Sequence, residues 1–541
     1  MSPAPAGWSE NDSFLITYAE TLAEKKAPPL ATLSRFLKNH CPDILSFIHI
    51  LPFYPSTSDH GFSVVDYRKV ATDLGSWNDV ENLARERRVT FDCVLNHVSQ
   101  ESDYVQGFIS GNTDREDFCI VESSAFDSSQ VTRPRQSPLF HSFDRPDQSQ
   151  VSLWTTFSRD QVDLNFRNPA VLIEILDILL GYAARGASMI RLDAIPYLWK
   201  ESGTTCIHLK QTHEIIRLIR AVFDAVSPHV ILLSETNVPH QENIKYFGPD
   251  ERDEAQIIYN FSLAPLLLHT VHTGNATALT HWASNLDDFG EACTYLNVTA
   301  THDGIGIRPA EDCLAPDDRS RLLEITSAHG GFVNYKRNAD GSDTPYELNI
   351  TWFDALNNPH SNPPTPLSLQ IDRMVLSQAI PMALKGIPAL YIHSLLGSRN
   401  DLSRVNPGDS TTFRTINRSQ ISIDTLLQDL NDPTTRRHQV FHALTKLLRI
   451  RQTQPAFHPD AAQQILDLGP HTFALLRQSQ SSSLVQSIIA VFNVTAQPQT
   501  IPTSSLPLSK EPLTDLISGQ PIAAPEISIN PYQFRWLTTP R

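Results

Sequence analysis

The sequence has no CxxC pair and no His/Cys cluster at metal-ligand spacing, and its six cysteines, Cys41, Cys93, Cys119, Cys206, Cys293 and Cys313, are widely separated. That pattern excludes the usual zinc arrangements and argues against a disulfide framework in a chain of 541 residues. Free buried thiols in a reducing cytoplasm are the expected state. No apolar run approaches the ~20 residues of a membrane span, and the opening MSPAPAGWSENDSFL has no basic stretch leading into an apolar one. Long low-complexity tracts are absent as well. Positive charge is in deficit: 43 Lys and Arg face 59 Asp and Glu, for a formal net charge of −16. Such a field repels polyanions, so any bound anion requires a local positive pocket. These absences predict a cytoplasmic protein with neither nucleic acid nor membrane as partner; monomer or homodimer is the expected assembly, though no residue pattern decides it.

What is present is enough apolar residue, 40% of the chain, to build a large core domain with one or two appendages. Eight short apolar, β-rich runs recur: Phe14–Glu20, Ser46–Phe53, Val89–Asn96, Ala187–Asp193, Val230–Thr236, Gln256–Phe261, Cys293–Asp303 and Ile387–His393. Helical patterns such as Trp77–Arg88, Pro169–Arg185 and Thr212–Val226 fill most intervals, and this alternation predicts an α/β protein with a (β/α)8 TIM barrel. Residues 98–163 are too long and too rich in Gly, Ser, Asp and Pro for a barrel loop, so they read as a subdomain inserted after strand three. The irregular Pro309–Pro366 stretch predicts long loops over the same mouth. A helical pattern at Arg437–Gln452 precedes a small β module whose runs Thr472–Leu476, Ser487–Val494 and Tyr532–Trp536 could form a sandwich. The chain thus divides into barrel segments 1–97 and 164–460, the insertion 98–163, and a C-terminal β domain over 461–541.

Active sites of (β/α)8 enzymes form at the C-terminal strand ends. Here those ends carry Asn96-His97, Arg191-Leu192-Asp193, Glu235 and His302-Asp303, so three carboxylates converge from three strands. Retaining glycoside cleavage needs a carboxylate nucleophile and a carboxylic acid about 5–5.5 Å apart, which neighbouring barrel strands can supply. Asp193 would attack the anomeric carbon, Glu235 would serve as acid and then base, and Asp303 would stabilise the charged sugar. Arg191, two residues before Asp193 on the same face, would keep it ionised and oriented. Any one of these residues could be structural; together they are hard to explain as packing.

The segments DCVLNH, IRLDAI, LSETN and TATHD resemble the ordered signature regions of the α-amylase superfamily, glycoside hydrolase family 13. HILPFYPSTSDHGFSVVDY, VTRPR, TTFSRDQVDLNF, ALKGIPALYIHSLLG and TINR are similar to the branch containing sucrose phosphorylase. The resemblance implies the same roles for Asp193, Glu235 and Asp303, with His97 and His302 gripping donor hydroxyls and Asp59 pairing with Arg418 to close a one-glucose pocket. Arg133 and Arg135, flanking Pro134, are the implied phosphate ligands, consistent with the two-pronged guanidinium geometry. GTTCIH at 203–208, followed by Thr212-His213, resembles a side branch with glucosylglycerate, glucosylglycerol and sucrose 6-phosphate phosphorylases. Such enzymes release α-D-glucose 1-phosphate with retention, use phosphate as co-substrate and need no metal or organic cofactor. Departures cluster near the mouth: Ala19-Glu20 in place of Gly-Asp, His60 after Asp59 in place of a second acid, and Pro196 in place of glycine. A glucosidase or transglucosidase using the same covalent intermediate is the alternative, and an inert barrel scaffold a more distant one.

Overall fold

The eight apolar runs form eight parallel strands: β1 Phe14–Thr17, β2 Phe47–Ile50, β3 Arg88–Val94, β4 Ala187–Asp193, β5 Ile231–Ser234, β6 Ile257–Tyr259, β7 Thr294–Val298 and β8 Ile387–Tyr391. They close into one barrel in chain order, with Phe14 of β1 paired to Phe47 of β2 on one side and to Ala389 of β8 on the other. These strands lack strict polar/apolar alternation because both faces are covered, by the barrel interior and by surrounding helices; β1 and β2 are buried at every position. The structure is a computed structural model describing residues 7–248, 251–338, 340–479, 485–508, 512–522 and 524–539. The first six residues of the segment read for a leader, and the chain end at Arg541, lie outside the described residues.

The helices begin where local chemistry starts them. Trp77–Glu86 opens on a reciprocal capping box between Ser76 and Asp79. Pro169–Ala184 combines an Asn168 cap with proline at the first turn. Between β3 and β4 the chain leaves the barrel at His97–Val98, returns antiparallel to it at Val162–Asp163, and in between forms the Asp103–Ser110 helix and the Phe140–Asp144/Gln150–Trp154 hairpin. His97 and Asp163 are paired in register where the excursion starts and ends.

Two expectations need correction. Strand seven ends at Val298, so His302 and Asp303 stand on a loop beyond it, and strand one ends at Thr17 with a single 3-10 turn over Ala19–Thr21. The 309–366 stretch is far more ordered than loops: it holds the Pro316–Ala328 helix and an antiparallel hairpin, Phe332–Arg337 with Asp343–Asn349. Pro316 at the first turn with Asp317 and Asp318 behind it starts that helix, but only Leu322 and Thr326 are buried along it, so an apolar stripe was lacking.

At the C-terminal end, Thr472–Gln478, Ser487–Asn493 and Phe534–Thr538 belong to one six-stranded sheet, beside which Gln499–Pro502 pairs with Glu526–Ile529. Buried Arg477 ties this sheet to the barrel by donating to the carbonyls of Ala383, His458 and Ala461. The cysteines are free, and all but Cys313 are buried. Among the described residues no helix is long and apolar enough to cross a membrane.

Candidate active site

Inside the barrel, a polar ladder rises toward the mouth. His49 of β2 meets Asp92 of β3 at 2.7 Å, and Asp92 in turn bonds the guanidinium of Arg191 on β4. Arg191 donates to Asp193 Oδ1 at 2.9 Å and lies 3.9 Å from Glu235. Register explains this: Asp92 pairs with Arg191 and Val94 with Asp193, so the inward residues of β3 and β4 meet layer by layer. An ion pair this deeply buried repays desolvation only with good geometry, and here the guanidinium serves two carboxylates at once.

Glu235 follows β5, its own N–H bound to the Leu192 carbonyl at 3.1 Å. Its Oε2 accepts from Ala194 N at 3.2 Å. Ala194 occupies the left-handed region (φ 51°), an unfavourable conformation for a non-glycine residue, directly after Asp193.

Burial and the neighbouring carboxylates push both Asp193 and Glu235 upward, so the two titrate as a pair. Arg191 touches Asp193 and stands off Glu235. Arg191 therefore opposes the rise more directly at Asp193 than at Glu235.

Asp303 behaves in the opposite way. Burial opposes its charge, but Arg414 at 2.6 Å and Arg418 at 3.3 Å outweigh it and hold the carboxyl well below its ordinary range. Arg418 also contacts Asp59 at 3.2 Å and donates to the His302 carbonyl at 2.8 Å. Burial likewise opposes the charge of Asp59, and Arg418, Arg414 and Arg135 together hold it low. Burial lowers His302 to about 3 and lowers His97 too, so both imidazoles are neutral at pH 7. His302 stacks on Phe62 at 4.6 Å, while His97 meets the Phe62 carbonyl at 2.9 Å.

These groups line one pocket of about 660 Å³, its open mouth included. It brings together Asp59, His97, Asp193, Glu235, His302, Asp303 and Arg135, with Arg191 and Arg418 immediately behind. Arg133 is not among the lining residues, and its guanidinium donates to the Ser137 carbonyl. Pro196 and Ile207 line the wall, the latter from the GTTCIH stretch. Sequence reasoning missed Arg414, Tyr346 and Glu347. Arg414 stands four residues before Arg418 in FRTINR, a spacing that could have paired them; Tyr346 and Glu347 lie in the stretch read as irregular. Glu347 is buried and binds Arg414, with Nε to Oε2 at 3.0 Å.

Asn96 and Asp163 converge on Lys200 instead of leaving their oxygens open: the ammonium lies 2.8 Å from Asn96 Oδ1 and 2.6 Å from Asp163 Oδ2. Thr156 adds two further bonds to Asp163, at 2.7 and 2.6 Å. A cation is thus already supplied by the chain where strand three meets the insertion. Among the described residues no group of three or more His, Cys, Asp or Glu side chains could hold a metal ion.

The chain matches known proteins along nearly its whole length. Residues 45–303 match the family model described as the α-amylase catalytic domain. The chain is 43% identical to a glucosylglycerate phosphorylase from Allomeiothermus silvanus and 40% identical to one from Escherichia coli, in each case over 98% of this chain and 92% of the relative. A sucrose phosphorylase from Agrobacterium vitis is 30% identical over 83% of this chain and 89% of its own length. Among solved structures, a sucrose 6F-phosphate phosphorylase superposes with a TM-score of 0.76 at 23% identity, covering 90% of this chain and 94% of that one, a likeness of fold. On this identity and coverage, the chain belongs to the α-amylase superfamily, in the branch of the sucrose phosphorylase-like glucoside phosphorylases.

Proposed function

We propose that this protein is a retaining α-glucoside phosphorylase whose donor is glucosylglycerate and whose product is α-D-glucose 1-phosphate. Asp193, ionised beside Arg191, attacks the anomeric carbon as the bond to the glycerate oxygen breaks and Glu235 delivers its proton to that oxygen. The covalent glucosyl-Asp193 ester then meets inorganic phosphate. A phosphate oxygen attacks the same carbon, Asp193 leaves as carboxylate, and Glu235 takes up the phosphate hydroxyl's proton, so two inversions give net retention. Asp303, kept ionised by Arg414 and Arg418, offsets the positive charge that develops on the sugar. His97, His302 and the Asp59–Arg418 pair hold the glucosyl hydroxyls, and Arg135 receives the phosphate. No metal or organic cofactor is required.

The observation that carries the acceptor assignment is the 40–43% identity, sustained over 98% of the chain, to proteins named for glucosylglycerate. The test is release of glucose 1-phosphate from sucrose, sucrose 6-phosphate, 2-O-α-glucosylglycerol and 2-O-α-glucosylglycerate with phosphate, beside a free-glucose assay without it. Phosphate-dependent glucose 1-phosphate from glucosylglycerate is expected. Free glucose released as fast without phosphate would make the protein a glucosidase.

A further inference from the structure

The pocket is lined by five carboxylates, Asp59, Asp193, Glu235, Asp303 and Glu347, and every arginine touching them is committed except one. Arg191 serves Asp92 and Asp193, Arg414 serves Asp303 and Glu347, and Arg418 serves Asp59 and Asp303. Arg135 forms no hydrogen bond or ion pair among the described residues; its half-buried guanidinium lies 5.7 Å from the ring centroid of Tyr346. An aromatic face orients a guanidinium while leaving its N–H edge free for a ligand.

Taking the phosphorylase reading as given, we infer that Arg135 is one anion seat used twice per turnover, first for the carboxylate of the glycerate moiety and then for phosphate. The electrostatics require a counter-charge in both halves of the reaction. Glycerate enters with a negative charge a wall that already carries five acids, on a chain of net charge −16, and so does phosphate. Each needs an uncommitted cation, and the lining supplies a single one. Glycerol, lacking the carboxylate, needs none. Arg135 therefore determines which acceptor is chosen, and glycerate and phosphate exclude each other from the glucosyl-enzyme.

The seat is tested by letting the full-length protein react with α-glucosyl fluoride, whose leaving group carries no carboxylate, and measuring transfer to D-glycerate, glycerol and inorganic phosphate. The wild type is expected to favour glycerate over glycerol. In Arg135→Gln the glycerate/glycerol and phosphate/glycerol ratios of kcat/KM should fall together, by roughly 10- to 100-fold each, as for a lost charge-assisted hydrogen bond of about 1.5–3 kcal/mol, and Arg135→Lys should restore part of both. Ratios within one variant are insensitive to a general loss of folded enzyme. A fall in the phosphate ratio with the glycerate preference intact would mean separate seats and overturn the inference while leaving the phosphorylase reading in place. Wild-type transfer to none of glycerate, glycerol or phosphate would overturn the phosphorylase reading itself, and the inference with it.

Discussion

The floor and the wall of the pocket are built on different terms. The floor comes from the strand ends and the loops just past them, and its charges are matched: Asp92, Asp193, Asp59 and Asp303 share Arg191, Arg414 and Arg418. The wall comes from the insertion and from long segments between barrel strands, through Arg135, Ile207 and Tyr346, and it leaves a cation without an ion-pair partner. A saturated network holds one geometry and suits a sugar that is the same in every turnover. An unsaturated wall can take different anions in succession.

The sharpest way to break this contrast is at the floor. Asp193→Asn should abolish glucosyl transfer from every donor by roughly 10⁴-fold or more, because nucleophile and acid act as one unit; initial rates with glucosylglycerate and with α-glucosyl fluoride measure it. Arg418→Ala removes one of the guanidinium partners of both Asp59 and Asp303, leaving Arg414, and is expected to cost about 10²-fold in kcat/KM for the donor, close to the loss of one electrostatic stabiliser. That loss should be nearly equal for phosphate, glycerate and glycerol as acceptors, which acceptor-by-acceptor kinetics would show.

Protonation sharpens the contrast further. Burial raises Glu235, and if it is the proposed acid it must be protonated for the acceptor to leave, so donor kcat/KM should fall about tenfold per pH unit above its raised pKa. The same profile with α-glucosyl fluoride, which needs no proton for departure, should lack that alkaline limb. The smallest effect is expected on the wall's outer side: Arg133→Ala removes a bond to the Ser137 carbonyl and should change stability by no more than about 0.5 kcal/mol and acceptor ratios by less than about threefold. Thermal unfolding and the acceptor panel check it.

The same division decided what could be read from the sequence. Barrel strands announce themselves because burial on both faces demands short continuous apolar runs; seven of the eight predicted runs contain the strand observed, and Val89–Asn96 misses its strand only by Arg88. Asp193 and Glu235 were legible as polar residues ending such runs. His302 and Asp303 were read as the polar end of the Cys293–Asp303 run, although the strand stops at Val298 and they stand on the loop beyond it. The wall was less legible. Tyr346 and Glu347 sit on a hairpin that is half-exposed over much of its length and interrupted by Pro345 and a register shift at Asn334/Tyr335, so alternation gives no clean signal. Arg133 and Arg135 are indistinguishable by sequence, and only the structure shows that Arg135 lines the pocket while Arg133 does not.

Lys200 carries a consequence in the language of mass action. An ion borrowed from solution stabilises a joint only by the logarithm of its free concentration relative to its dissociation constant. Where Asn96 and Asp163 meet, the positive charge is covalently part of the chain, at 2.8 and 2.6 Å, and its effective concentration is fixed by the tether. The junction between strand three and the insertion, next to His97, therefore carries a positive counter-charge that the chain itself supplies.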